Sequence, residues 1–156
     1  DQEKVNASNT ANYKCELTIS VPKDTALQKI TMELGVGDIT VKDIKADELN
    51  LNAGVGDVKL KDTSLANADL KAGVGDIKIS GSSVTVLDLE EGVGDVEISD
   101  IADLNEYTLD ITVGIGDLSI NGDKKSGFGK EYKQQTGDGS HKYKITSGTG
   151  NIKLTN

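Results

Sequence analysis

Five aspartates occur at the same position of a short glycine motif, and carboxylates in such a pattern could bind cations. They are Asp38, Asp57, Asp76, Asp95 and Asp117, each closing a GVGD or GIGD sequence, and the first four are 19 residues apart. Carboxylates held between successive turns of a glycine-rich repeat are the ligands that calcium binds in β-rolls. In a tight turn, however, an aspartate accepts hydrogen bonds from backbone N–H groups and needs no metal.

Two features of the repeat favour the structural role. The calcium-binding β-roll repeats about every nine residues, whereas this motif recurs every 19 residues and lacks the second G-x-D spacing. The last copy, GTGN, has Asn151, which keeps the acceptor oxygen but loses the charge. We therefore predict structural corners and no cofactor, with a calcium-binding solenoid as the alternative. The predicted corner residues are Gly35, Gly37, Asp38, Gly54, Gly56, Asp57, Gly73, Gly75, Asp76, Gly92, Gly94, Asp95, Gly114, Gly116, Asp117, Gly148, Gly150 and Asn151.

The remaining residue types give little support for catalysis. One histidine, His141, and one cysteine, Cys15, cannot form a structural zinc site or a nucleophilic triad. We expect His141 to be solvated and Cys15 to be a small core residue. Paired carboxylates can serve glycoside hydrolysis in a polysaccharide-active enzyme, and a second acidic column, Asp69, Asp88 and Asp110, could bind cations weakly. Its regular spacing singles out no pair, so we predict a solvated charged face and no enzyme.

Composition limits the partners. The chain has 156 residues and a formal net charge of −9, and all its basic residues are lysines, which disfavours nucleic acid. It contains no apolar run of about 18 residues, so membrane attachment is expected only through a segment absent from this chain. Phe128 lies between two glycines and is the best candidate for contact with a partner, unless it packs back against the domain.

The elements that must position the motif are strands. Apolar residues occur three and five residues before the first glycine and four and six residues after it, with polar residues between them. This alternation is typical of strands with one buried face. The pattern also predicts that the motif valine faces inward and that the phase changes at the second glycine and the aspartate. A looser third side would place Ile44, Leu65, Val84 and Ile101 inward.

Two all-β architectures fit this pattern. One is a parallel β-helix-like solenoid of about six to seven coils, in which each 19-residue repeat is one coil. The alternative is an array of antiparallel hairpins, each closed by GVGD. A two-residue hairpin turn would place the valine at positive φ, which favours the solenoid. We predict a linker at 1–12, a single domain at 13–156 with an added strand at 13–21, and a long loop at 121–142.

The strand YKCELTISVPKD, the GVGDI copies and the closing SGTGNIKL together resemble an adhesin family of unknown function found in bacterial envelope proteins. The resemblance implies a right-handed β-helix-like stack and an extracytoplasmic location, at the cell surface or membrane-anchored. It also implies a role in adhesion or envelope sensing, with an unknown protein or cell-surface partner, and it brings no catalytic residues. Because a stack of coils has two open ends, we also expect end-to-end self-association if these ends are uncapped.

Overall fold

The computed structural model describes residues 25–135 and 139–156, and these residues form an all-β domain. The predicted linker at 1–12, the predicted strand at 13–21 and Cys15 lie outside the described residues. The strands are β1 (Ala26–Val36), β2 (Ile39–Lys42), β3 (Lys45–Val55), β4 (Val58–Lys61), β5 (Ser64–Val74), β6 (Ile77–Ser80), β7 (Ser83–Val93), β8 (Val96–Ile98), β9 (Tyr107–Ile120), β10 (Asp123–Gln134), β11 (His141–Thr149) and β12 (Ile152–Leu154). A single 3₁₀ turn, Leu104–Glu106, precedes β9.

Each repeat forms one rung, a long strand followed by a short strand. The long strands β1, β3, β5 and β7 pair in parallel with a 19-residue offset, so that Leu51 lies between Met32 and Leu70. The short strands β2, β4, β6 and β8 pair in parallel in the same register. This arrangement confirms the β-helix-like solenoid. The hairpin array is excluded, because the repeats pair in parallel and β9–β10 is the one antiparallel pair among the described strands.

The C-terminal rungs do not follow sequence order. β9 contains both the long and the short segment of the fifth repeat, and β10 returns antiparallel along it. β11 then pairs with both β7 and β9, and β12 pairs with both β8 and β9. The sixth repeat therefore lies between the fourth and the fifth. The prediction of a long loop at 121–142 is wrong, because residues 123–134 form β10, which pairs with β9 through backbone hydrogen bonds.

The core is a set of apolar columns that run through the stack. Leu51, Leu70, Leu89, Ile145 and Ile111 form one of them, and each is at most 2% exposed. The third side is confirmed: Leu65, Val84 and Ile101 are buried, and Ile44 packs against the core at the end rung. Each coil therefore buries apolar residues on all its sides, as a solenoid must when only neighbouring coils cover it.

The two ends of the stack differ. At one end β10 covers the edge of β9, and its terminal Gln134 is tied down: the amide donates to the Leu104 carbonyl at 2.9 Å, and the Tyr132 hydroxyl donates to the Gln134 side-chain oxygen at 2.7 Å. At the other end the outer edges of β1 and β2 pair with no strand among residues 25–135 and 139–156. Within those residues, no helix is long and apolar enough to cross a membrane.

Candidate functional site: the repeat corner and its exposed ladder

Both glycines of each motif lie where backbone packs directly on backbone. A β-carbon on Gly54 would collide with the carbonyl oxygen of Gly35, and one on Gly56 would collide with that of Gly37. Gly56 also has φ +137°, a conformation that residues with a side chain rarely adopt. The same contacts recur up the stack, except on the end rung, where Gly35 has open space around it and Gly37 faces only the Leu34 side chain. The two glycines therefore allow successive corners to stack closely.

The motif aspartates hydrogen-bond from one rung to the next. Asp38 Oδ1 accepts from the backbone N–H of Asp57 at 3.0 Å, Asp57 Oδ1 accepts from Asp76 at 3.0 Å, and Asp76 Oδ1 accepts from Asp95 at 2.9 Å. Asp95 then accepts from Asn151 at 2.7 Å, and Asn151 accepts from Asp117 at 3.0 Å. One oxygen of each side chain before the last is thus used by the protein itself. The described residues contain no group of three or more acidic, histidine or cysteine side chains that could hold a metal ion.

The valine of the motif faces solvent, so the prediction that it fills the corner from within is wrong. Val55, Val74 and Val93 are 49%, 48% and 50% exposed, while Val58 beyond the corner is fully buried. The physical reason is that the strand changes phase at the first glycine and not at the second. The residue before the first glycine still points inward. Ala53 and Val55 pair with Ala72 and Val74 on the next strand, whereas Gly54 between them has no partner in the register, and the side chain of Val55 points outward.

These outward residues form a continuous exposed ladder across six rungs, which we call the apolar ladder. In spatial order it consists of Val36, Val55, Val74, Val93, Thr149 and Ile115. Phe128 on β10 lies opposite Ile115 and extends the ladder; it is 83% exposed. The alternative that Phe128 packs back against the domain is therefore wrong. Glycine columns border the ladder on both sides, so no neighbouring side chain in the motif covers it.

The second acidic column is interrupted by a lysine. Asp69 and Asp88 are neighbours, but Lys144 on the inserted β11 lies between Asp88 and Asp110, and its Nζ is 3.3 Å from the Asp88 carboxylate. On the outer face of the short strands, Glu97 pairs with Lys78 at 2.8 Å and Lys153 at 2.9 Å. Hydrogen bonds from these two lysines lower the pKa of Glu97. Asp88 and Glu97 are therefore each paired with lysines on neighbouring rungs.

The prediction that His141 is solvated is only partly right. Its ring is half-buried and lies 4.8 Å from the ring of Tyr107, which also packs edge-on against Tyr143. Tyr107 and Tyr143 are buried, and burial is the main cause that raises the pKa of each. This aromatic cluster joins the starts of β9 and β11 and makes His141 part of the packing there.

One buried polar pair was missed by the sequence analysis. Glu91 is 4% exposed and Ser147 is 1% exposed, and they lie side by side in the inward column just before the first glycine. Neither the Glu91 carboxylate oxygens nor Ser147 Oγ has a hydrogen-bond partner. Burial raises the pKa of Glu91 to about 7, and the nearby charges of Asp76 and Asp95 add to the shift. The signal in the sequence was the replacement of alanine, as in NAGVGD and KAGVGD, by glutamate in EEGVGD.

Comparison with known proteins gives a family but no function. No curated protein and no solved structure gives a significant match to the chain. The profile of the Toastrack family, DUF4097, matches residues 2–128, which is more than half of the chain. The stacked strands described above agree with the β-helix-like repeat domain expected of that family. The chain therefore belongs to the Toastrack DUF4097 family.

Proposed function

We propose that this protein is a non-enzymatic, extracytoplasmic interaction module that binds a protein on the cell envelope, as an adhesive or sensing domain. The observation that carries the proposal is the apolar ladder. Five of its six rungs bear valine or isoleucine, each about half exposed or more. Burying such side chains against a partner gains roughly 25 cal/mol per Å² of apolar surface, which favours association.

The shape of the ladder indicates the kind of surface that it fits. Rungs of a sheet are about 4.8 Å apart, so six rungs span roughly 24 Å in a straight line. The ladder residues protrude beyond their neighbours, because the glycines on both sides have no side chains. The column of motif aspartates runs along one side of the ladder. A partner with a flat or ridged apolar strip bordered by basic side chains would complement both features.

The proposal is tested by binding to envelope fragments of the source organism. Wild-type protein should sediment with the fragments, whereas the triple variant Val55→Asp, Val74→Asp, Val93→Asp should lose at least about 90% of the binding, because charge cannot be buried unpaired. The matched control removes two exposed lysines near the starts of the long strands, away from the corner, Lys29→Ser with Lys45→Ser, and should bind as wild type does. Circular dichroism establishes that each variant is folded.

Three outcomes would contradict the proposal, two of them its binding part and one its non-enzymatic character. One is equal loss of binding in the ladder variant and the lysine variant, which would indicate unspecific charge effects. Another is no binding by wild type. Release of sugars from envelope polysaccharide by the wild-type domain would contradict its non-enzymatic character, and that assay uses the same fragments.

The proposal includes end-to-end self-association. The outer edges of β1 and β2 offer backbone N–H and C=O groups that no described strand pairs with, and such edges can pair with a second copy. We expect the mass measured by light scattering to rise with concentration. A monomer at every concentration tested would overturn this part of the proposal and leave the partner-binding part intact.

A further inference from the structure

Glu91 occupies a position that is apolar in the neighbouring rungs. The equivalent residues are Ala53 on β3, Ala72 on β5 and Val113 on β9, all buried. Ser147 is the equivalent residue on β11. The two polar side chains are therefore adjacent members of one otherwise apolar column, and theirs are the only unpartnered buried side-chain oxygens in the described part of the chain.

The groups that face Glu91 offer no positive charge. On the neighbouring long strands, β5 places Ala72 beside it and β11 places Ser147 beside it. The charged groups that act on it are Asp95, the motif aspartate of its own corner, and Asp76, the motif aspartate of the preceding rung. Lys71, the nearest cation in register, lies on the outer face and pairs there with Glu90 at 3.8 Å. An ionised Glu91 is therefore buried, unpartnered and close to two like charges.

Glu91 and Ser147 lie on two neighbouring strands that are far apart in the sequence. β7 and β11 are neighbours although 47 residues separate the end of one from the start of the other, because the sixth rung lies between the fourth and the fifth. Glu91 belongs to β7 and Ser147 to β11, so a change in charge at this pair acts on the junction where the sixth rung enters the stack.

We propose that Glu91 and Ser147 form a proton-controlled latch at the β7–β11 junction. When Glu91 is protonated it carries no charge, so it stays buried beside Ser147 and the junction is closed. When Glu91 is ionised, the buried carboxylate favours local separation of β11 from β7, which brings the carboxylate into water and exposes two strand edges. This inference stands independently of the proposed function.

The direction of the pH dependence follows from linkage. The pKa of Glu91 is about 7 in the closed state, against an ordinary value near 4.3 in water. The closed state holds the proton more tightly, so closure is most stable below pH 4.5 and loses stability as pH rises through 7. The exposed Glu97 and Glu48 have lowered pKa values, so their contributions are lost only at lower pH, as the pH falls through those values. Between pH 5 and pH 8, Glu91 therefore sets the trend.

Hydrogen exchange of the full chain at pH 5 and pH 8 tests the latch. After correction for intrinsic exchange, protection of the β7–β11 amides should fall on the order of 50-fold between these pH values, as expected for a pKa of about 4.3 in the open state and about 7 in the closed state. Protection of the β3–β5 amides should stay the same. Glu91→Ala, which installs the alanine found at positions 53 and 72, should abolish the pH dependence and keep the junction closed at pH 8.

The control variant is Glu90→Ala, which removes the adjacent carboxylate on the outer face and should leave the pH dependence as in wild type. Glu91→Gln serves as a second uncharged variant if Glu91→Ala does not fold, and it too should abolish the pH dependence. The proposal is overturned if wild-type protection at β7–β11 is the same at both pH values, or if Glu91→Ala or Glu91→Gln retains the wild-type dependence. Loss of protection spread equally over all rungs would also overturn it.

Discussion

At the residue scale, the three defined positions of the motif have three different physical roles. The first glycine packs its backbone against the glycine of the rung below, and the second combines that contact with positive φ. The aspartate, or Asn151 in the last copy, accepts a backbone N–H from the next rung. None of these roles requires a bound ion, and each acts between rungs. The motif is therefore a device for stacking coils.

The stacking role predicts that the same substitution is costly in one copy of the motif and nearly neutral in another. Gly73→Ala should destabilise the protein by about 2 kcal/mol or more, because the new methyl meets the Gly54 carbonyl and neither backbone can move without disturbing its rung. Gly35→Ala, at the same position of the end rung, meets no atom within 4 Å and should change stability by at most about 0.5 kcal/mol. Urea denaturation measures both, and equal losses in the two variants would argue against backbone packing as the cause.

At the element scale, the long strands decide which residues meet water. Their inward alternation continues to the residue before the first glycine and then changes phase at that glycine. A regular strand would have buried the motif valine, whereas the bend turns it outward and leaves the next inward position to Val58, Ile77 or Val96. The exposed ladder and the buried short strands are two results of one bend.

This orientation predicts a large difference between two chemically identical substitutions. Val74→Thr, on the exposed ladder where Thr149 already occurs, should change the free energy of unfolding by at most about 0.5 kcal/mol. Val58→Thr, at a fully buried position, should cost roughly 1–3 kcal/mol, because a hydroxyl enters an apolar core without a partner. Thermal or urea unfolding of the pair measures the difference. If both variants lost similar stability, the valine of the motif would be buried after all.

At the scale of the whole molecule, the inserted sixth rung separates charges that sequence order would have placed together. Lys144 lies between Asp88 and Asp110, and Asn151 lies between Asp95 and Asp117. Stacking the fourth repeat directly on the fifth would instead have placed these carboxylates side by side, about 4.8 Å apart along the sheet. β10 makes the insertion possible, because it returns the chain to the start of β9 before β11 begins.

Disulfide cross-linking distinguishes the inserted order from sequential stacking. In a Cys15→Ser background, Val93→Cys with Thr149→Cys and Thr149→Cys with Ile115→Cys should both oxidise readily, since they are direct neighbours and adjacent strands lie within disulfide range. Val93→Cys with Ile115→Cys should not, because β11 lies between these strands. Non-reducing electrophoresis gives the result, and efficient cross-linking of only the Val93 and Ile115 pair would indicate sequential stacking.

The sequence by itself determined the architecture of the repeats. Six copies of one motif and the alternation of apolar residues between them predicted parallel stacked coils and most of the inward columns. This was possible because a solenoid buries each coil against neighbours of the same pattern, so that local periodicity and tertiary contact carry the same information. The one-residue phase change was also visible, although its location was assigned to the wrong glycine.

Only the tertiary structure decided the order of the last two rungs, the course of β10 and the outward face of the valine. All the repeats share one apolar pattern, so any two of them can pair in parallel in the same register. The repeat itself therefore does not encode the order of the rungs. That order decides which residues lie beside Lys144 and Asn151, and it places Ser147 beside Glu91. Their neighbours come from distant parts of the chain, and a buried carboxylate beside a serine can be recognised only when both strands are in place.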